Sequence, residues 1–195
     1  MFAVLAHRAT GLSIATMALL ICGGFMTYAM IAFWFVEVGG APRPVLTRAL
    51  FASGVASLEG NTFSSHVVGL LGRDGAILGG LDFTAACFLT VFLIPQAYVL
   101  SYPAFVCFSV GWPLCLAPLQ ARLMETAGER ALLALALALA LALALNASAF
   151  FGGQGLGAVG GGTVYEAFGS EVLPLASVIV LGLATFLFFV SRRAG

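Results

Sequence analysis

Glu59 lies near the middle of an apolar stretch from Leu46 to Leu71 that is long enough to cross a bilayer. An ionised group at that depth costs a few kcal/mol even on insertion-derived scales, so a carboxylate there either serves a proton or cation pathway or is held for structural reasons. His66 follows seven residues later, on nearly the same helix face and about 10 Å further along. That spacing allows a proton relay with Glu59, and it equally suits a histidine at the membrane interface. Three amides, Asn61, Asn146 and Gln154, also fall inside apolar stretches. Each either contacts a substrate or hydrogen-bonds between helices. Phe25, Tyr28 and Trp112 supply rings that either line an amphipathic pocket or pack the core and the lipid face.

Other chemistry is poorly supplied. Cys22, Cys87, Cys107 and Cys115 all sit in apolar surroundings without a CxxC pair, and buried packing is expected of each. His7 and His66 build no zinc pattern with them. No Gly-x-Ser-x-Gly and no paired His-Glu motif points to hydrolysis, so no enzyme and no cofactor is expected. Asn146-Ala147-Ser148 fits a glycosylation sequon but lies within an apolar run.

These residues must be positioned by helices in lipid. The 195 residues are 62% apolar and only 8% charged, too few charges to cover a soluble domain of this length. The net charge is zero and the eight basic residues, all arginine, form no run, which excludes a nucleic-acid footprint. Six segments are predicted to span: about 11–36, 46–71, 76–100, 103–121, 131–161 and 172–190. The uncharged run from Phe83 to Ala121 is too long for one crossing, and Ser101-Tyr102-Pro103 is the expected turn within it. Lipid cannot satisfy free backbone groups, so the spans are helices; a barrel would show polar–apolar alternation, which is missing.

The Ala-Leu alternation from Leu135 to Leu145 joins two strong helix formers and reads as a low-complexity helix. The fifth segment would reach roughly 46 Å, so it must tilt, break near Gly152-Gly153 or project beyond the bilayer. Gly153, Gly157 and Gly161 form a small-xxx-small ridge for close helix packing, with a gating hinge as the alternative. Pro113 and Pro118 are expected to kink the fourth segment. Asp82, near the start of the third, can pair with Arg73. Arginine distribution places Arg8, Arg73, Arg122, Arg130, Arg192 and Arg193 on one side against Arg43 and Arg48 on the other. Both termini are therefore expected in the cytoplasm of a multi-pass plasma (inner) membrane protein.

Several stretches, in order, resemble the C-terminal half of a major facilitator superfamily transporter, most of all its proton-coupled sugar- and drug-efflux branch. Gly24-Phe25-Met26-Thr27-Tyr28-Ala29-Met30-Ile31-Ala32-Phe33 is similar to that branch's seventh helix, and Gly54-Val55-Ala56-Ser57-Leu58-Glu59-Gly60-Asn61 to its eighth. Ala117-Pro118-Leu119-Gln120-Ala121-Arg122 resembles the cytoplasmic end of the tenth. Asn146-Ala147-Ser148-Ala149-Phe150 with the glycine ridge resembles the eleventh. The family's cytoplasmic loop, G-x-L-x-D-R-x-G, has a shorter counterpart in Gly69-Leu70-Leu71-Gly72-Arg73-Asp74-Gly75, with the charged pair reversed.

The resemblance implies an all-α fold of six helices in two inverted three-helix repeats, with a substrate path near the midplane. It implies proton-coupled efflux of a sugar or drug-like compound. Glu59, Asn61, Phe25, Tyr28, Trp112, Asn146 and Gln154 would bind or couple, His66 would relay protons, and Arg73 and Asp74 would form a cytoplasmic gating loop. Met1 falls just before the family's seventh helix, so the expected partners, besides lipid, substrate and protons, are a complementary N-terminal half or a second copy. The alternative is a membrane remnant or interaction subunit that transports nothing without its partner.

Overall fold

The computed structural model describes residues 8–94, 98–127 and 132–193, and these are almost wholly helical. The major helices are α1 (Arg8–Ala29), α2 (Arg43–Leu93), α3 (Tyr98–Ala127), α4 (Leu132–Phe168) and α5 (Leu173–Arg193). After α1 come a short helical turn at Ile31–Phe33 and a π-helical turn at Trp34–Val38. Pro42 caps α2 in an extended conformation, and Pro44 sits in its first turn, where a missing N–H costs nothing. Four helical stretches among the described residues are long and apolar enough to cross a membrane: Gly11–Ala29, Arg43–Leu93, Tyr98–Arg122 and Ser170–Arg193.

The 51 residues of α2 do not form one rod. Gly72 takes φ 71° and ψ 170°, a conformation essentially reserved for glycine, and divides the helix into arms spanning 43–71 and 73–93. The polar gap expected between the second and third segments is thus compressed into a single residue. Gly169 adopts nearly the same conformation, φ 83° and ψ 173°, between α4 and the 3-10 turn Ser170–Val172 that starts α5.

The next boundary differs from the sequence expectation. Ser101-Tyr102-Pro103 lies inside α3, and the break falls earlier, after Ile94, which leaves the helical region at φ −126° and ψ 59°. Ile94 precedes Pro95, whose ring disfavours helical backbone in the residue before it. Ser101 is buried, and its Oγ donates to the Ile94 carbonyl at 3.1 Å, capping the helix it was expected to follow. α3 runs on past Pro113 and Pro118. α4 extends seven residues past the predicted end at 161 and passes through Gly152-Gly153 as continuous helix. His7 and Arg130 lie outside the described residues.

Glycines set the helix contacts. A Cβ on Gly153 would come within 2.7 Å of the Ala18 carbonyl, and one on Gly157 within 2.5 Å of the Cys22 carbonyl. Gly161 meets the Met26 carbonyl more closely still. The ridge on α4 is therefore a packing surface for α1. On the first arm of α2, Gly60 faces the Val110 backbone of α3 at 2.5 Å. On the second arm, Gly80 lies against Cys115, and Gly111 of α3 against Thr84. Gly23 of α1 faces Val180 and Leu181 of α5. Nearby, Thr27 and Ser177 share a buried hydrogen bond at 2.7 Å. Trp34, Phe35, Phe88, Phe105 and Phe188 are fully enclosed in the core between these helices. Cys87 and Cys115 are buried as expected and Cys22 is half-buried. Cys107 is exposed.

Candidate functional site

Phe25 and Tyr28 are three residues apart on α1 and so share a face, with ring centroids 5.5 Å apart. Phe108 and Trp112, four apart on α3, stand 6.3 Å from one another. The two pairs meet: Phe25 to Trp112 at 5.7 Å edge-on, and Tyr28 to Phe108 at 6.2 Å. Gly24 makes this crossing possible, since any Cβ there would overlap the Trp112 ring. The facing wall comes from the first arm of α2. Leu50, Ser53, Gly54 and Ser57 fall at positions i, i+3, i+4 and i+7, one helical stripe.

These residues, with Ser109, line an open cleft of about 270 Å³. Four aromatic rings line it, with the hydroxyls of Tyr28, Ser53, Ser57 and Ser109 as polar points, and none of the lining residues carries a charge. Such a site suits a small ligand with one apolar face and a few hydrogen-bonding groups. Ser53 is 3% exposed and its Oγ is enclosed without a hydrogen-bond partner among the described residues.

Phe25, Tyr28 and Trp112, three of the residues singled out in the sequence, thus come together. Others do not. Asn61 continues the Ser53–Ser57 stripe one turn further on but is exposed and outside the lining. Glu59 does not face the bundle interior. Two residues from Ser57 it turns about 200° around the helix, and it is exposed on an outer flank. Its carboxylate has no hydrogen-bond or ion-pair partner among the described residues. His66 is exposed on that same flank. On α4, Gln154 is half-buried beside the glycine ridge. Asn146 is half-buried too, with its Oδ1 enclosed and unpartnered among the described residues. Neither amide lines the cleft.

Comparison with family models, curated proteins and solved structures finds no match to this chain. The geometry therefore carries the functional reading.

Leu50, Ser53, Gly54, Ser57, Phe108 and Ser109 were not singled out from the sequence. The available signal was the Ser-Gly-x-x-Ser spacing at 53–57, which puts two hydroxyls on one face beside a glycine. Nothing in the sequence says which helix that face meets.

Each end of the molecule carries a polar cluster. At one end Asp74, just past the Gly72 break, receives Arg192 at 2.8 Å and Arg122 at 3.4 Å. Arg122 also lies over the Phe188 ring at 5.0 Å and reaches the Ser191 carbonyl. Asp74 therefore ties α3 and α5 to the turn between the arms of α2. Asp82, expected to pair with Arg73, is exposed with no ion pair among the described residues; it lies two turns beyond Asp74 on the second arm. At the opposite end Glu37 accepts from Tyr165 Oη at 2.8 Å and from Ser170 Oγ at 2.9 Å. The bond to Glu37 pushes the Tyr165 phenol above its ordinary pKa, because losing that proton would place two anions together. Among the described residues no cluster of three His, Cys, Asp or Glu side chains could hold a metal.

Proposed function

We propose that the chain is a six-helix transmembrane unit of two inverted three-helix repeats, related to the C-terminal half of major facilitator transporters. In this reading it moves a small uncharged amphipathic molecule, sugar- or drug-like, by proton-coupled efflux. It does so with a complementary half or a second copy, in the inner membrane with both termini cytoplasmic.

The observation that carries the proposal is a numerical correspondence among the close contacts. Adding 97 to positions in α2 takes Gly60 to Gly157, Gly72 to Gly169, Gly80 to Ser177 and Thr84 to Leu181. Adding 88 to positions in α1 takes Cys22 to Val110, Gly23 to Gly111, Gly24 to Trp112 and Thr27 to Cys115. Three of the contacts then map onto others. Gly60 on Val110 becomes Gly157 on Cys22, Gly111 on Thr84 becomes Gly23 on Leu181, and Cys115 on Gly80 becomes Thr27 on Ser177. The two positive-φ glycines are likewise equivalent. Three crossings per repeat leave the second inverted relative to the first, the arrangement on which many secondary transporters are built. Gly24 and Trp112, equivalent positions, touch each other where α1 crosses α3, and the cleft opens beside that crossing. Binding at a repeat interface is where alternating access needs its substrate.

Glu59 is the coupling carboxylate in this reading. Its outward flank leaves it for a partner half to cover, which also favours the second reading, an interaction subunit inactive alone.

The test is flux in proteoliposomes containing the chain, alone and with a candidate N-terminal half, under an imposed pH gradient. Neutral fluorescent amphipaths should accumulate against their gradient, and Trp112→Ala should reduce the rate at least tenfold. Gradient-independent leakage, unchanged by Trp112→Ala, would refute transport.

A further inference from the structure

Resting on the cleft described above, we infer that Ser53 is the hydrogen-bond anchor of the site and that the ligand is an uncharged ring compound. Its flat face lies on the rings of Trp112 and Phe108, and its polar edge meets Ser53.

Ser53 is 3% exposed, lines the cleft, and has an enclosed Oγ with no partner among the described residues. Hydroxyls elsewhere in the helices show that the missing bond is not forced by helical position. Thr16, Thr84 and Ser148 each donate to the carbonyl four residues back, at 2.8, 2.7 and 2.8 Å. Ser53 makes no such bond, so its proton and lone pairs are unpaired, and a rotation about χ1 would turn the enclosed Oγ toward a ligand in the cleft. A buried hydroxyl left unpaired is costly, and that cost is relieved when a ligand supplies the partner. The rest of the cleft decides what kind of ligand. Four aromatic rings offer flat apolar surface, and no ionisable group other than the Tyr28 phenol lies in the lining. A charged ligand would lose its hydration there without a counter-charge. Gly54, one residue from Ser53, presents backbone without a side chain, with nothing within 4 Å of where a Cβ would stand. That leaves room for a ring to lie along the arm between Ser53 and Ser57.

The experiment uses the full chain in lipid nanodiscs and four probes that share one ring system: naphthalene, 2-naphthol, 2-naphthoate and 2-naphthylmethylammonium. Binding is read as quenching of Trp112 in a Trp34→Phe background, with empty nanodiscs correcting for partition into lipid. The expected result is that 2-naphthol binds best and that both ionic probes bind at least tenfold more weakly. Ser53→Ala should weaken 2-naphthol by about 5- to 10-fold. It should leave naphthalene unchanged, and Ser53→Thr should restore 2-naphthol. Equal weakening of naphthalene and 2-naphthol by Ser53→Ala would overturn the anchor role, since Ser53 would then only shape the wall. Ionic probes binding as tightly as 2-naphthol would overturn the assignment to uncharged ligands, and so would the absence of quenching by any probe. Binding that depends on Ser53 in a chain that shows no flux leaves this site standing and removes only the transport reading.

Discussion

Ser57 and Glu59 are two residues apart on one arm of α2, and the helical pitch sends them to different surroundings. Ser57 enters the cleft, while Glu59 reaches an outer flank with His66. The carboxylate in that place has no partner among the described residues and stands apart from the packed aromatic wall. Glu59→Gln keeps the size and hydrogen-bonding capacity but cannot release a proton. It should therefore abolish the dependence of flux on the pH gradient and leave 2-naphthol binding unchanged. Parental flux with the parental pH profile in Glu59→Gln would remove the coupling role. A second titration belongs to Tyr165. Its raised pKa means that the bond to Glu37 contributes fully below the phenol's ordinary pKa, near 10, and is lost as pH climbs through the higher folded value. In Glu37→Gln, ultraviolet titration of the tyrosines should show one phenol moving to lower pH; an unshifted curve would mean that the contact is not populated.

At the scale of elements, the helices are held by close backbone approach at glycines. Gly157 and Gly155 are two residues apart on α4, yet a Cβ on the first meets Cys22 at 2.5 Å and one on the second meets nothing within 4 Å. Gly157→Ala should destabilise the chain by about 1–3 kcal/mol through overpacking. Gly155→Ala should be neutral or slightly stabilising, because alanine is the better helix former. Thermal unfolding in detergent compares the two, and equal melting temperatures would contradict the observed face. The breaks at Gly72 and Gly169 make a matched pair. Alanine at either must leave φ near 71° or 83° or occupy it at a cost of about 1–3 kcal/mol. Similar losses at both sites are expected from equivalent positions, and a loss at only one would argue against the repeat.

Across the whole molecule, the Asp74–Arg122–Arg192 cluster and the Glu37–Tyr165–Ser170 cluster mark opposite ends. In the proposed orientation a cysteine at Asp74 should be labelled from inside and one at Gly40 from outside by a membrane-impermeant reagent; the reverse pattern would invert that topology. In the proposed assembly a partner would cover the flank bearing Val55, Glu59 and His66, since lipid would solvate none of its polar groups. Single cysteines at Val55 and Thr62 should therefore crosslink to a second chain in membranes. One at Ile179 on the far side of α5, 58% exposed, should remain monomeric.

The amino-acid sequence by itself determined the all-helical class. So few charges among so many apolar residues suit helices able to cross a membrane, in which backbone groups are paired within their own segment. Spacing alone also made the Gly153–Gly157–Gly161 ridge legible as a packing surface, since residues four apart must share a helix face. One boundary was open to the sequence at Pro95 but read elsewhere, and one kind of feature was decided only by the tertiary structure. The turn at Ile94 displaced the one expected at Ser101-Tyr102-Pro103 because proline acts on the residue before it, whereas Pro103 is accommodated within α3. The cleft depends on which faces of three helices meet, and helical periodicity records that a face exists without recording its neighbour. Phe25, Tyr28 and Trp112 could be named from their chemistry, but Ser53 acquires its role only where burial removes every other partner. Glu59 is the converse: its chemistry suggested the interior, and the pitch of α2, fixed by Gly60 against α3, turned it outward.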